Sequence, residues 1–264
     1  MKPTALFCLA TALWTTNLFA ELRTEDMSFK ANCDGTEQKY VIVFPSSFFA
    51  DKPCAALIAL HGHGSDRWQF VKDARGECRA ARDVAAAHSM LFVSPDYRAK
   101  TSWMGPKAEA DMVQIIVELK RRHRVTKAIL CGGSMGGTGA LTFTALRPDL
   151  VDGVVSLNGT ANLVEFTGFA DAIAASFGGT KAQVPDEYRR RSAEFWPARF
   201  TMPVAATTGG KDRSVPGESA GRLLDTVKAK NPNVLLIHRP EGGHSTSYED
   251  SKAAIEFVVS KTLK

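Results

Sequence analysis

Uninterrupted runs of hydrophobic residues alternate along the chain with segments whose hydrophobic residues recur at helical spacing. Continuous apolar runs are typical of strands buried on both faces of a parallel sheet. Strands that alternate with helices in this way predict an α/β fold, with a mostly parallel central sheet and helices on both faces. The predicted strands are 39–45, 55–61, 90–96, a run from Ala128 that leads into Ser134, 151–157, 203–208 and 234–239.

The predicted helices lie between these strands. One begins at Pro106, a residue that suits the first turn of a helix, and others span 74–88, the residues after Ser134 to about Leu146, 218–228 and 248–259. Residues 158–202 contain no predicted strand and are rich in aromatic residues, so we interpret them as a small helical lid. Residues 21–36 are polar and mixed, and no strand is predicted there. Without repeats or linkers, residues 21–264 are expected to form a single catalytic domain.

The N-terminus has the form of a secretory signal peptide. Lys2 precedes an apolar run from Ala5 to Leu13, and the small residue Ala20 ends the segment. The apolar run is shorter than the ~20 residues that span a bilayer, so an uncleaved anchor is the weaker alternative. We therefore expect residues 1–20 to be removed and the mature protein to be secreted or periplasmic, without membrane attachment.

Composition narrows the function classes only slightly. The 264 residues are 44% hydrophobic and 23% charged, with a net charge of +5. The basic cluster 120–124 closes a predicted helix, where cations favour the helix dipole, so no nucleic-acid partner is expected. The cluster 189–191 lies in the predicted lid and offers weak support for acidic substrates.

The cysteines give no clear disulfide framework. Removal of the leader leaves Cys33, Cys54, Cys78 and Cys131. Cys131 lies on a predicted buried strand, where a free thiol is common, whereas a Cys33–Cys54 bridge is possible in an oxidising compartment. The spacing of cysteine and histidine matches no metal motif, so neither a metal nor another cofactor is expected.

Polar residues follow several of the predicted strands. Because the carboxyl ends of parallel strands meet at one edge of the sheet, these residues should share a rim where ligands bind. They are the His61–Gly64 loop, Asp96, Tyr97, Ser134, Asn158, Asp212 and His244.

Ser134 lies in a Gly-x-Ser-x-Gly pattern at 132–136. The pattern fits a sharp strand-to-helix turn that raises a nucleophilic serine above the sheet, with glycines where side chains would collide. It is short and permissive, and Ser134 could instead be a helix N-cap. The order of Ser134, Asp212 and His244 along the chain matches that of a nucleophile, acid and base in hydrolases of this architecture.

Four motifs together resemble the α/β-hydrolase superfamily. They are His-Gly-His-Gly at 61–64, Gly-Gly-Ser-Met-Gly at 132–136, Gly-Lys-Asp-Arg-Ser-Val-Pro at 210–216 and Gly-Gly-His-Ser at 242–245. The chain is similar to secreted esterases of the polyhydroxybutyrate depolymerase, feruloyl esterase and acetylxylan esterase group, with wider kinship to prolyl oligopeptidase-type domains. The resemblance covers nearly all of the mature chain.

The resemblance implies a role for each rim residue. Ser134 would be the nucleophile, His244 the base and Asp212 the acid, with Asp96 and His238 as the less favoured alternatives. The backbone N–H groups of His63 and Met135 would form the oxyanion hole. Tyr97, Trp103 and Asn158 lie on the rim, and we hypothesise that they contact substrate. Asn158 also begins a glycosylation acceptor motif, which we regard as incidental.

The expected function is a serine carboxylic ester hydrolase acting through an acyl-enzyme. By kinship alone, the substrate would be an acetyl or feruloyl ester, either a small molecule or linked to plant polysaccharide. The first alternative is a prolyl oligopeptidase-like peptidase, disfavoured because this sequence holds no propeller-sized gating domain. A binding protein on a hydrolase fold is the second alternative. The oligomeric state stays open.

Overall fold

The computed structural model describes residues 22–264, and the predicted signal peptide 1–20 lies outside them. The strands of this part are β1 (Thr24–Lys30), β2 (Glu37–Val43), β3 (Cys54–Leu60), β4 (Leu91–Pro95), β5 (Val125–Gly133), β6 (Gly153–Leu157), β7 (Val204–Gly209) and β8 (Val234–Arg239). The helices are α1 (Gln69–Lys72), α2 (Gly76–Ala87), α3 (Pro106–His123), α4 (Met135–Leu146), α5 (Ala170–Phe177), α6 (Pro185–Arg190), α7 (Glu218–Lys228) and α8 (Tyr248–Thr262).

All eight strands belong to one sheet in the order β1-β2-β4-β3-β5-β6-β7-β8. The strand β2 runs antiparallel to both of its neighbours, while every pair from β4 to β8 along the sheet is parallel. The mostly parallel sheet predicted from the hydrophobic runs is confirmed.

The sheet separates two hydrophobic cores because successive side chains of a strand point to opposite faces. On β3, Ile58 and Leu60 pack in the larger core with α3, α4 and α7, whereas Leu57 and Ala59 pack in the smaller core with α2 and α8. These side chains are fully buried. Burial on both faces explains why the central strands read as continuous apolar runs rather than alternating ones.

The strands that carry the predicted site are neighbours in the sheet. β3, β5, β6, β7 and β8 lie side by side and in parallel. Their carboxyl ends are level, since Leu60 pairs with Gly132 and Leu157 pairs with both Gly133 and Thr207. The segments after these strands therefore meet on one rim.

Some elements differ from the prediction. β1 was missed within residues 21–36, although Met27 and Phe29 alternate with polar residues in the manner of a half-buried edge strand. The four-residue helix α1 was also missed. The predicted strand 151–157 begins two residues later, because Pro148–Leu150 forms a 3₁₀ turn ahead of it.

The predicted lid, residues 158–202, contains α5, α6 and two 3₁₀ turns, and no strand. We call this stretch the lid segment. Within residues 22–264, no helix has the length and apolar character needed to cross a membrane.

Candidate active site

Ser134 occupies the sharp turn between β5 and α4. Its backbone has φ 57° and ψ −119°, a combination that non-glycine residues rarely adopt and that marks stored strain. Its N–H donates to the Leu157 carbonyl oxygen of the neighbouring strand at 2.8 Å, which anchors the turn to the sheet. The serine side chain makes no capping hydrogen bond to α4. Ser134 is therefore the N-cap residue of α4 by position alone, and its side chain does not cap the helix.

The glycines around Ser134 are required by close backbone contacts. A methyl group added at Gly132 would overlap the backbone of Gly136, and one added at Gly136 would overlap the Leu60 carbonyl group. The predicted collisions at both glycines are confirmed. The tight packing lets the ends of β3 and β5 and the start of α4 approach one another at the serine.

A continuous hydrogen-bond chain joins Ser134, His244 and Asp212. His244 Nε2 lies 2.9 Å from Ser134 Oγ, and His244 Nδ1 lies 2.7 Å from Asp212 Oδ2. The Asp212 side chain is 1% exposed, while that of His244 is 33% exposed. The other carboxylate oxygen of Asp212 accepts the N–H groups of Ser214 and Val215 at 2.9 and 3.0 Å, which fixes its orientation.

The alternative acid, Asp96, and the alternative base, His238, have partners outside this hydrogen-bond chain. Asp96 is engaged by Arg67, which donates to it from its backbone N–H at 2.8 Å and its guanidinium at 3.1 Å. His238 lies on β8 and its Nδ1 is 2.9 Å from the Thr208 hydroxyl. Asp212 and His244 lie within hydrogen-bond reach of each other, and His244 lies within hydrogen-bond reach of Ser134.

The backbone of residues 61–64 packs against the nucleophile turn. A methyl group added at Gly62 would lie 3.6 Å from the Gly133 carbonyl oxygen. The Gly62 N–H donates to Gln69 Oε1 and the Gly64 N–H to the Lys100 carbonyl oxygen, both at 2.7 Å. Within residues 22–264, the N–H groups of His63 and Met135 donate to no protein atom. Both remain available to an oxyanion.

The His63 ring is held by aromatic residues on two other segments. Its Nδ1 accepts a hydrogen bond from Trp103 Nε1 at 3.1 Å, and its ring centroid lies 4.4 Å from that of Phe169. Burial lowers the pKa of His63 below its ordinary value, and a ring that accepts at Nδ1 must be neutral. The side chain thus steadies the loop that carries a candidate oxyanion donor.

The three predicted substrate contacts need correction. Tyr97 is 1% exposed and donates its hydroxyl proton to the His61 carbonyl oxygen at 2.5 Å. Trp103 is fully buried beneath Phe169 and Phe166. Asn158 is 4% exposed, and its amide is taken up by protein groups. All three lie behind the rim and support it, because rim position alone does not determine which side chain reaches solvent.

Phe169 is the aromatic residue that the sequence did not single out as a contact. It is 39% exposed, immediately precedes α5 with a left-handed backbone of φ 53°, and packs against the rings of His63 and Trp103. Its place in the aromatic-rich lid segment was the only available signal. Phe169 presents an aromatic surface to solvent next to the loop 61–64.

Two members of the basic cluster 189–191 are paired with carboxylates of the protein. Arg191 is fully buried and pairs with Glu109 and Glu187, each at 2.9 Å. Arg190 also pairs with Glu109, at 3.2 Å. The interpretation that this cluster attracts acidic substrates is corrected, since two of its three cations already have carboxylate partners.

Glu77 is a carboxylate that sequence reasoning did not notice near the site. It lies in the first turn of α2, where a methyl group added to Gly133 would be 3.3 Å from its Oε1. Burial raises the pKa of Glu77, whereas the charges of Arg75 and His244 oppose this effect. Cys33, Cys54, Cys78 and Cys131 are free thiols in the structure.

The described residues hold no group of three or more histidine, cysteine, aspartate or glutamate side chains arranged to bind a metal ion.

Comparison with protein family models identifies the family of the chain. The family model for the prolyl oligopeptidase family matches residues 99–259, which is more than half of the sequence. The chain belongs to the prolyl oligopeptidase family. The matched region includes Ser134, Asp212 and His244 but not the loop 61–64. Family membership supports a serine hydrolase, while a search of curated proteins found no match.

Solved structures agree on the α/β-hydrolase fold. A protein described as a dipeptidyl aminopeptidase IV from Bacteroides ovatus is 15% identical with a TM-score of 0.72, and the match covers 92% of this chain but only 36% of that one. The fluorophosphonate-binding serine hydrolase F of Staphylococcus aureus is 17% identical with a TM-score of 0.67, and the match covers 93% of this chain and 100% of that one. The Pyrococcus furiosus esterase Pf2001 is 17% identical with a TM-score of 0.65, and the match covers 91% of this chain and 93% of that one.

Proposed function

We propose that this prolyl oligopeptidase family member is a serine carboxylic ester hydrolase that works through an acyl-enzyme. The observation that carries the proposal is the unbroken hydrogen-bond chain from Ser134 through His244 to Asp212. A serine hydroxyl is a weak nucleophile until a neighbouring base accepts its proton, and the base needs a third group to orient it. Ser134, His244 and Asp212 would supply the nucleophile, the base and the orienting group.

In the acylation step, Ser134 Oγ attacks the ester carbonyl carbon while its proton moves to His244 Nε2. Asp212 holds His244 in the tautomer that accepts at Nε2 and stabilises the imidazolium. The carbonyl oxygen becomes an oxyanion facing the N–H groups of His63 and Met135. One such donor is worth roughly 3–4 kcal/mol of transition-state stabilisation. Collapse of the intermediate releases the alcohol, which takes its proton from His244.

In the deacylation step, a water molecule replaces the alcohol. His244 takes a proton from this water as the oxygen attacks the acyl-serine, and the same two N–H groups receive the second oxyanion. The bond to Ser134 Oγ then breaks, and His244 returns the proton to the serine. The products are one carboxylic acid and one alcohol for each ester and water consumed, with the enzyme restored.

The proposed substrate is an acetyl or feruloyl ester, in a small molecule or on plant polysaccharide. The exposed ring of Phe169 beside the His63 loop supports an aromatic acyl group, because it offers a stacking surface near the candidate oxyanion donors. Two relatives covered over nearly their full length are a serine hydrolase and an esterase, which supports a single-domain ester hydrolase.

The decisive experiment compares Ser134→Ala and His244→Ala with the matched control His238→Ala on a short-chain aryl ester. We expect Ser134→Ala to lower kcat by about 10⁶-fold and His244→Ala by a similar factor, because the triad acts as a unit. His238→Ala should retain activity, since the His238 ring on β8 bonds the Thr208 hydroxyl of β7 and does not contact Ser134. Equal activity of wild type and Ser134→Ala, both folded, would overturn the proposal.

A peptidase is the second candidate, and the match of residues 99–259 to the prolyl oligopeptidase family favours it. The same triad can attack an amide carbonyl. A panel of acetyl, butyryl, feruloyl and polymeric esters should be compared with peptidyl amides at equal enzyme concentration. Higher kcat/KM on the amides than on every ester would replace the esterase proposal with the peptidase one.

Secretion is proposed from the apolar leader sequence alone. Expression of the full chain followed by N-terminal sequencing of exported protein should give a mature terminus at Glu21. Recovery of the protein only inside the cell with residues 1–20 intact would contradict export.

A further inference from the structure

Asn158 lies at the carboxyl end of β6, directly beside the nucleophile turn. It is 4% exposed and has a left-handed backbone with φ 51°, which asparagine tolerates better than most residues. Its N–H donates to the Thr207 carbonyl oxygen at 3.0 Å, so the backbone continues the pairing of β6 with β7. This conformation turns the side chain toward the segment that follows β8.

The Asn158 amide connects to residues on both sides of His244. Its Nδ2 donates to the Gly243 carbonyl oxygen at 3.1 Å, and its Oδ1 accepts from the hydroxyl of Thr246. Oδ1 also accepts from the Thr207 hydroxyl at 2.9 Å. The Gly243 carbonyl oxygen can only accept a hydrogen bond, so the amide nitrogen of Asn158 must face it. The amide oxygen of Asn158 must then face the two threonine hydroxyls.

The segment 240–247 that carries His244 has few other tethers on this side. The Gly242 carbonyl oxygen accepts from the Lys211 N–H at 2.8 Å, and the Gly242 N–H donates to the Arg239 carbonyl oxygen at 2.9 Å. Both bonds precede Gly243; the first joins the segment to the turn after β7, and the second closes a local turn with the end of β8. The Thr246 hydroxyl also lies 2.8 Å from the Thr207 hydroxyl, and the Asn158 amide is the group that bonds both Gly243 and Thr246.

We propose that Asn158 is a positioning residue that holds the His244 segment against the nucleophile turn. The proposal rests on the proposed function, because it concerns the hydrogen bond between His244 Nε2 and Ser134 Oγ. It replaces the expectation that Asn158 contacts substrate. It also explains why the acceptor motif at 158–160 is unsuitable for a glycan: sugar attached to Nδ2 would displace Gly243.

Two kinds of variant test the role of the amide. Asn158→Gly accepts the same left-handed backbone but has no amide, and Thr246→Val removes one hydroxyl without changing the shape of the side chain. We expect Asn158→Gly to lower kcat and the rate of fluorophosphonate labelling by roughly 10- to 100-fold with little change in KM, because a misplaced base slows proton transfer. Thr246→Val should show a smaller loss, and Thr246→Ser should restore wild-type rates.

Asn162→Ala is the matched control for a merely structural role. Asn162 is a buried asparagine on the same segment, but its amide bonds Glu194 and the N–H groups of Val164 and Glu165. It should lower Tm without changing the labelling rate. Wild-type labelling rates in folded Asn158→Gly and Thr246→Val would overturn the proposal. If Asn158→Gly does not fold, the labelling rates of Thr246→Val and Thr246→Ser test the proposal by themselves.

A spectroscopic readout separates this proposal from the proposed function. The imidazole proton shared by His244 Nδ1 and Asp212 should give a low-field NMR signal in wild type, and Asn158→Gly should shift or broaden it. If wild type is not labelled yet the signal responds to Asn158→Gly, the proposed function fails and the positioning role stands. An unchanged signal in Asn158→Gly overturns the positioning role.

Discussion

Arg191 anchors the lid segment to the rest of the molecule. Its side chain is fully buried, with Nη1 donating to the Met104 carbonyl oxygen at 2.7 Å and Nη2 to Glu109 at 2.9 Å. Nε donates to Glu187 at 2.9 Å. Met104 adjoins Trp103, so one guanidinium connects α6, the first turn of α3 and the loop that supports His63. We predict that Arg191→Ala destabilises the fold and weakens the site together.

The size of the effect follows from what the substitution leaves behind. Removing one partner of a buried ion pair costs about 3–5 kcal/mol, mainly because the other charge is left buried. Glu109 is 5% exposed but keeps Arg147 at 3.0 Å and Arg190 at 3.2 Å. The loss should therefore lie near the lower end, at about 3 kcal/mol, which for a domain of this size corresponds to about 6–12 °C in Tm.

Thermal and urea unfolding of Arg191→Ala and Arg190→Ala provide the measurement. Arg190 contacts the same Glu109 carboxylate, but its side chain is 44% exposed, so its removal should cost at most about 1 kcal/mol. Arg191→Met combined with Glu109→Gln should recover much of the loss, since no unpaired buried charge remains. Equal losses for the two single arginine variants would refute the reasoning from burial.

Three further substitutions probe the electrostatics and the surface of the site. Trp103→Phe removes the donor to His63 Nδ1 and should raise the pKa of His63 toward its ordinary value, as an NMR titration would show; an unchanged pKa would mean that burial acts alone. Glu77→Gln should be more stable than wild type at pH 8 but not below about pH 4. Burial raises the pKa of Glu77, so the wild-type protein loses stability as the pH rises and this carboxyl group ionises. Urea unfolding at both pH values checks this, and a pH-independent difference would contradict it. Phe169→Ala should lower the ratio of feruloyl to acetyl kcat/KM about fivefold, the worth of one aromatic contact, whereas Val164→Ala, exposed in the same segment, should not.

The sheet was predictable because burial on both faces leaves a continuous signal in the sequence. β3, and β5 from Ala128 onward, read as uninterrupted apolar runs, and their side chains enter both cores. β1 lacks that signal, since it pairs only with β2 and alternates between exposed and half-buried positions. An edge strand of seven residues with two apolar side chains is hard to distinguish from a loop by hydrophobicity alone.

The site was predictable only where topology determines it. Ser134, Asp212 and His244 follow parallel neighbouring strands, and parallel strands bring their carboxyl ends to one rim. Whether a rim side chain faces substrate depends instead on distant partners. Trp103 is turned toward His63, and Asn158 toward Gly243, which lies 85 residues further along the chain. Spacing along the sequence carries no information about such pairs.

The family match and the structure support different parts of the proposed mechanism. The match covers residues 99–259 and so includes the three side chains of the hydrogen-bond chain, but His63 lies outside it. The loop that carries His63 lies beside the nucleophile turn because β3 pairs with β5 up to Leu60 and Gly132, and the ring of His63 is held by Trp103 and Phe169. In the proposed mechanism, proton transfer depends on residues within the matched region, whereas oxyanion binding and the acyl surface depend on a loop and a lid segment that meet only in the fold. Differences in substrate within such a family should therefore arise from these two segments, while the three side chains that move the proton stay the same.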